Sequence, residues 1–239
     1  VKEHGQPKRF RLDRFISKHA GVNRRAVRAL LASGRVGLDG SAAREINQVV
    51  DQFSHITLDG QVLQHNAATY LMLNKPRGVV SATRDDKHRT VIDLLDTNTG
   101  NDLHIAGRLD FNSTGLLLLT NDGRWSRRLA SAQKPVEKVY RVTVEHALNE
   151  HYIEAFAQGM YFPYENITTR PVALTILSDH SAELRLTEGR YHQIKRMFGR
   201  FNNKVLILHR IAIGNVVLDP ALAAGQYRPL TQIELDGLF

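Results

Sequence analysis

The sequence predicts an α+β protein in two parts: a small basic front and a larger body built on a mixed, mostly antiparallel sheet. Three observations carry that expectation. The body alternates apolar and polar residues over many short stretches and has few helical patterns. The repeating βα units of a doubly wound dinucleotide-binding domain are missing. The charge is also unevenly placed: residues 1–44 hold 11 Lys and Arg against three acids, a net of +8, while residues 45–239 hold 21 of each sign. A basic module on a neutral body fits a partner with repeating negative charge, and a phosphate backbone fits best.

Composition narrows the class. With 239 residues, 42% of them hydrophobic, the chain can bury one large core or a small and a medium one. It has no cysteine, which excludes a disulfide, an iron–sulfur cluster and a thiol nucleophile. No run of 18 apolar residues occurs, and VKEHGQPKRF at the start lacks the apolar stretch of a signal peptide. A cytoplasmic location without membrane association is therefore expected.

In FRLDRFISKHAGVNRRAVRALLASGR (10–35), Leu12, Phe15, Ile16 and His19 recur at helical steps until Gly21. Asn23 can cap a second helix with Val27, Leu30 and Leu31 inside and Arg24, Arg25 and Arg28 on or near the opposite face. Gly34 ends it. Val36 and Leu38 then alternate before Asp39-Gly40, and HITLDGQVL (55–63) repeats the strand, Asp-Gly, strand pattern. A domain over residues 1–64 follows, and HNAATY (65–70) reads as a linker. RLDRFISK and NRRAVRALLASGRV, followed by LDG, resemble the S4 RNA-binding domain. That resemblance implies that Arg9, Arg11, Arg14, Arg24, Arg25, Arg28 and Arg35 lie near an RNA-facing surface.

The second domain, 71–239, opens with YLMLNKPRGVVSAT (70–83), where Pro76 and Gly78 break an apolar strand. Lys75 and Arg77 are expected to be presented at the strand end. KVYRVTVE (138–145), PVALTILS (171–178) and SAELRLTE (181–188) alternate as strands, the last two joined around Asp179-His180. LNEHYIEAFAQGM (148–160) reads as a helix with Ile153, Phe156 and Ala157 inside, and RYHQIKRMFGRF (190–201) as another. KVLILHRIAIGNVVLD (204–219) is mostly strand.

Three segments can carry chemistry. In AGRLDFNSTGLLLLTNDG (106–123), a buried GLLLLT strand would hold the preceding loop and Asp110 on a rigid support. Asp110 can act as a nucleophile or stabilise positive charge; the alternative is a turn residue accepting N–H bonds from Asn112 or Ser113. In EKVYRV (137–142), alternation turns Tyr140 inward, either as a ring for a planar substrate or as plain core. EGRYHQIKRMFGRF (188–201) mixes Arg190, His192, Gln193, Lys195, Arg196 and Arg200 with Tyr191, Phe198 and Phe201. Charge beside flat rings suits single-stranded nucleic acid, and a solvated amphipathic helix is the alternative.

Together these segments resemble the signature segments of the RNA pseudouridine synthases, in the branch that modifies ribosomal RNA and carries an N-terminal S4 domain. LNKPRGVVSAT and GQYRPLT are similar to that branch too. Tyr191-His192 and Lys195-Arg196-Met197 look more like the small-subunit synthases than their large-subunit relatives. The resemblance implies that Asp110 is the essential aspartate, Tyr140 stacks on a flipped uracil and helps proton transfer, and Lys195 pairs with the aspartate, with Arg190 and Arg196 open as substitutes. It assigns RNA positioning to Arg108 and implies one target, position 516 of 16S rRNA. Lys75, Arg77, Arg190, His192, Gln193 and Arg196 join Arg108 as expected RNA contacts in this domain.

No cofactor or metal is expected. The reaction is an isomerisation, HExxH, GxxxxGK and GxGxxG are missing, and the 11 histidines are scattered. The expected partner is ribosomal RNA, as small-subunit RNA or an assembly intermediate, met by a monomer. The alternatives are a synthase for 23S rRNA and a non-catalytic RNA-binding or ribosome-assembly protein.

Overall fold

A computed structural model describes residues 9–239 apart from 98, 100, 101 and 132, so the first eight residues of the expected front domain lie outside it. The chain divides into two compact units between Ala68 and Thr69.

In the first unit, β1 (Phe10–Arg11) leads into α1 (Leu12–Ala20) and α2 (Arg24–Ala32). Gly21 ends α1 with φ +65°, where a side chain would be strained. The Asn23 side chain accepts the Ala26 N–H at 3.0 Å and so caps α2. Four strands follow as one sheet: β2 (Val36–Leu38), β3 (Ser41–Ala42), β5 (Ile56–Leu58) and β6 (Gln61–Gln64). Asp39-Gly40 and Asp59-Gly60, all at positive φ, form their two tight turns. Between them β4 (Val49–Val50) pairs with β1. Leu12, Phe15, Ile16, Val27, Leu31, Val36 and Ile56 share one core, while His19 stays outside and stacks on Phe15.

The second unit is organised by a nine-stranded sheet. Its first strands are β7 (Tyr70–Lys75), β8 (His104–Ala106), β9 (Thr114–Thr120) and β10 (Lys138–Val144), with α3 (Gly123–Leu129) after β9. After α4 (Glu150–Gln158) come a small hairpin, β11 (Tyr161–Phe162) and β12 (Ile167–Thr168), and the long hairpin β13 (Ala173–Ser178) and β14 (Ser181–Leu186). The chain finishes with α5 (Gln193–Gly199), β15 (Val205–Ile213), β16 (Val216–Val217), β17 (Tyr227–Pro229) and α6 (Gln232–Asp236). The sheet runs β13-β14-β10-β15-β9-β7-β17, with β16 on β15 and β8 on β9. β9 and β15 are parallel; the other named pairs are antiparallel.

The run Leu116–Leu119 explains itself in this sheet. Leu117 and Leu119 enter the core on one face, and Leu116 and Leu118 enter the core on the other. A strand covered on both faces has no polar side to show. Fully burying each leucine contributes roughly 1.5–3 kcal/mol. Helix α4 departs from its expected stripe: Tyr152 and Phe156 are buried, whereas Ile153 is 37% exposed and Ala157 is also at the surface. Tyr152 replaces Ile153 because its ring packs between Phe198 and Phe201 and its hydroxyl accepts from Asn203 Nδ2 at 3.0 Å.

The parallel join of β9 and β15 is short, Thr114 opposite His209 and Gly115 opposite Arg210. Gly115 has φ +99°, and a Cβ there would overlap the backbone carbonyl of Arg210. Only glycine permits this approach. Gly115→Ala is expected to cost about 1–3 kcal/mol by combining positive-φ strain with overpacking. Urea unfolding measures it, and an unchanged midpoint would show that the seam carries no such constraint.

Candidate active site

The loop from Gly107 to Ser113 lies between β8 and β9, so the strand that buries the leucines also fixes the end of the loop. Within it the Ser113 N–H donates to the Asp110 backbone carbonyl at 3.0 Å, which leaves the carboxylate out of the turn. The carboxylate is engaged on both oxygens. Lys195 Nζ donates to Oδ2 at 2.9 Å, and His192 Nε2 lies 3.5 Å from Oδ1. Both partners come from the segment at α5. His192 takes a left-handed backbone, φ +50°, at the N-cap, which lets a histidine and a lysine three residues apart converge on one carboxylate.

That bend is held by a buried glutamine. Gln193 accepts the Arg190 N–H at 3.1 Å and donates to Glu188 at 2.7 Å. Glu188 also accepts from Arg190 Nε at 3.1 Å, and Arg196 is paired with Glu165 and stacked on Phe162. Of the three cations open as partners for Asp110, Lys195 makes the contact; Arg190 and Arg196 are taken elsewhere.

Tyr140 lies on β10 and is 8% exposed, its inward direction as alternation predicts. Asp110, Arg108, Tyr140, His192 and Lys195 line one pocket of about 90 Å³, with Ser113 and Leu208 also in its wall. Beside Tyr140 is a residue that the sequence reading passed over. Arg210, 1% exposed on β15, donates from Nε to Leu116 O at 2.8 Å, from Nη2 to Gly107 O at 2.7 Å and from Nη1 to the Tyr140 hydroxyl at 3.3 Å. One guanidinium therefore ties both flanks of the Asp110 loop to the tyrosine. The signal was a charged residue at the buried parity of an apolar strand, between Leu208 and Ala212.

Two expectations are corrected. Lys75 ends its strand but is fully buried: Pro76 turns the chain, and Nζ donates to the carbonyls of Pro76, Phe111 and Ser113 at 3.0, 3.3 and 2.9 Å. It anchors the Asp110 loop from below and has no surface to offer RNA. Gln193 is likewise only 3% exposed and engaged within the protein. Of the remaining expected contacts of this unit, Arg77, Arg108 and Arg190 are exposed and His192 and Arg196 are half-buried, and Arg77 donates to Asn112 at 3.3 Å.

In the first unit Arg9, Arg14, Arg25 and Arg28 are exposed and make no ion pair among the described residues. Arg11 and Arg24 both reach Asp13, whose side chain is fully buried, at 3.2 and 2.6 Å. The arginines beside Asp13 hold its carboxyl below the usual range, against the opposing effect of burial. Arg35 pairs with Asp59 at 2.6 Å on the surface.

Burial of the Lys75 ammonium pushes its pKa down to about 8; the Asp110 charge opposes that shift, and Arg210 and Lys195 add to it. Below about pH 8 both folded and unfolded chains carry the proton. Between about pH 8 and the ordinary 10.5 the unfolded chain binds a proton that the folded chain lacks, so stability rises with pH through that window. The stability of the wild type relative to Lys75→Met is therefore expected to increase from pH 7.5 to pH 10. Urea midpoints of both proteins measure the difference, and a constant gap would show that the ammonium is not desolvated.

Known proteins resemble this chain over most of its length. Residues 69–199 match the family model described as RNA pseudouridylate synthase. The chain is 48% identical over 227 residues to the ribosomal small subunit pseudouridine synthase A of Pseudomonas aeruginosa, covering 95% of this chain and 99% of that protein. With the protein of the same name from Escherichia coli it shares 41% identity over 227 residues, 95% of this chain and 98% of that one. Among solved structures it is similar to a pseudouridylate synthase crystal structure at TM-score 0.70 and 40% identity, covering 96% of this chain and all of that one. The Asp110 loop, β10 and α5 all lie within the residues that the family model matches, and the chain belongs to the RNA pseudouridylate synthase family.

Proposed function

We propose that this protein isomerises one uridine of small-subunit ribosomal RNA, position 516 of 16S rRNA, with Asp110 as the group that acts at the sugar. The observation that carries the roles is the Asp110–Lys195 pair at 2.9 Å in a pocket shared with Tyr140. The names of relatives 48% and 41% identical over nearly the full chain support the small-subunit target.

The isomerisation breaks the N1–C1′ bond, turns the uracil and joins C5 to C1′. One proton leaves C5 and one is gained at N1, so protonation balances overall. Lys195 holds the carboxylate in place. His192 is the second neighbour of that carboxylate and a group able to hold a proton. Tyr140 accepts from Arg210, which leaves its own O–H free to donate, and its ring offers a face for an extruded base. Arg108, exposed at the mouth, meets the RNA as the base leaves its stack.

The first unit supplies affinity in this reading. Its exposed Arg9, Arg14, Arg25 and Arg28 match an S4-like RNA-binding domain, here extending to about residue 64 before a short linker and the catalytic domain from 71. Each phosphate neutralised by such a side chain releases counterions and makes binding salt-dependent. The enzyme works as a monomer, in the cytoplasm, on naked small-subunit RNA or an assembling particle.

The test incubates wild type and Asp110→Asn with protein-free small-subunit rRNA, large-subunit rRNA and partly assembled small subunits, mapping pseudouridine by its chemical adduct. One new site in small-subunit RNA is expected with wild type, and a fall of at least 10³-fold in rate with the variant, as for loss of an essential reacting group. Modification confined to large-subunit RNA would overturn the target, and an active Asp110→Asn would overturn the role.

A further inference from the structure

Next to the Asp110 pocket lies a larger cleft of about 730 Å³, with Tyr140, Arg108, Lys138 and Arg210 in its wall. Its charge is unbalanced from within. Of the two carboxylates that line it, Asp110 is held by Lys195 and Glu188 by Arg190. Lys138 is half-buried at the start of β10, and its Nζ donates to the Val136 carbonyl at 2.8 Å. Arg210 spends its donors on two carbonyls and a phenol. Neither cation meets a carboxylate among the described residues.

Two positive charges in one wall, Lys138 half-buried and Arg210 almost wholly buried, repel one another and lose hydration. Burial and the neighbouring Arg210 both make the charged form of Lys138 less favourable. A cleft that keeps such a pair in its wall is completed by an anion from outside. Strand geometry also sets its position. Lys138 and Tyr140 stand two residues apart on one strand and point to one face, which separates them by roughly 7 Å. An anion on Lys138 therefore lies within one nucleotide of a base on the Tyr140 ring.

The geometry points to Lys138 as the binding site for a backbone phosphodiester adjoining the target uridine, with Arg108 at the rim of the same cleft. This deepens the reading above and rests on it. The function assigned to Lys138 is to fix the register of the strand, so that the nucleotide it holds delivers its neighbour to Asp110. The cleft volume falls within the range usual for ligand sites, and Lys138 and Arg108 in its wall offer positive charge to a phosphate.

The probe is an oligoribonucleotide carrying the target uridine with its flanking small-subunit sequence, made unmodified and with one methylphosphonate linkage at a time near that uridine. Binding is measured by fluorescence anisotropy at several salt concentrations for wild type, Lys138→Met and Lys138→Arg. With wild type, one linkage is expected to stand out, its neutralisation weakening binding about tenfold. Lys138→Met is expected to bind the unmodified RNA about tenfold more weakly, to lose about one unit of salt slope and to be indifferent to that linkage. Lys138→Arg is expected to retain the discrimination. Equal sensitivity of wild type to every linkage, or an unchanged special linkage in Lys138→Met, would overturn the assignment. The wild-type scan alone decides if the methionine variant fails to fold. Pseudouridine formation on the unmodified oligonucleotide is measured in the same samples. Product without a Lys138-dependent linkage overturns this inference and leaves the isomerase reading; a Lys138-dependent linkage without product does the reverse.

Discussion

The second unit depends on one seam, where β9 and β15 run parallel for two residue pairs. The four strands β13, β14, β10 and β15 lie on one side of it, and β9, β7 and β17 on the other. Asp110 belongs to the loop before β9, while Tyr140 belongs to β10 on the far side. Their relative position is therefore set by how β9 and β15 meet. Gly115 lets the backbones approach as no other residue would, and the Arg210 guanidinium then spans the join to reach Gly107, Leu116 and Tyr140. A short parallel ladder is a weak attachment by itself. The buried arginine converts it into a fixed distance between an acid and a ring.

That solution requires positive charge to be buried. Lys75 and Arg210 are almost wholly inside and bonded to neutral acceptors, which costs desolvation energy that hydrogen bonds only partly offset. The acceptors show what the cost achieves. Lys75 takes carbonyls of Phe111 and Ser113 and Arg210 takes that of Gly107, so the two cations grip the Asp110 loop from both ends. Apolar substitutes would bury more favourably, yet they would leave those carbonyls without donors and the loop without anchors. Rigidity of the loop is what the role proposed for Asp110 requires, since small misplacement of an attacking group is expensive in rate.

Much of this was legible in the chain because local rules dominate there. The Asn23 cap, the Asp-Gly turns and the alternation in β10 follow from short-range sterics and hydrogen bonding, and the leucine run is the direct mark of a strand covered on both faces. Asp110, Tyr140 and Lys195 were found by segment and do share one pocket. What escaped depends on contacts distant in sequence. Whether Lys75 faces water or the underside of a loop is decided by residues 111–113, and whether Gln193 meets RNA or Glu188 by a turn that only the fold defines. Ile153 and Tyr152 differ in the same way: periodicity allows either inside, and packing on Phe198 and Phe201 chooses Tyr152.

The uneven charge of the chain follows from the same division between local and distant effects. An isomerisation within RNA gains no energy from a cosubstrate, so the few kcal/mol needed to unstack a base must come from contacts made elsewhere on the strand. Long-range attraction is sequence-tolerant and suits an exposed arginine face such as that of the first unit. It cannot decide which nucleotide enters a pocket. That decision needs a short-range contact at a fixed distance from the ring, and a cation held on the same strand as Tyr140 meets the requirement with no further moving part. On the reading proposed above, the exposed arginines set how tightly RNA is held, and the half-buried Lys138 sets where along the strand it is held.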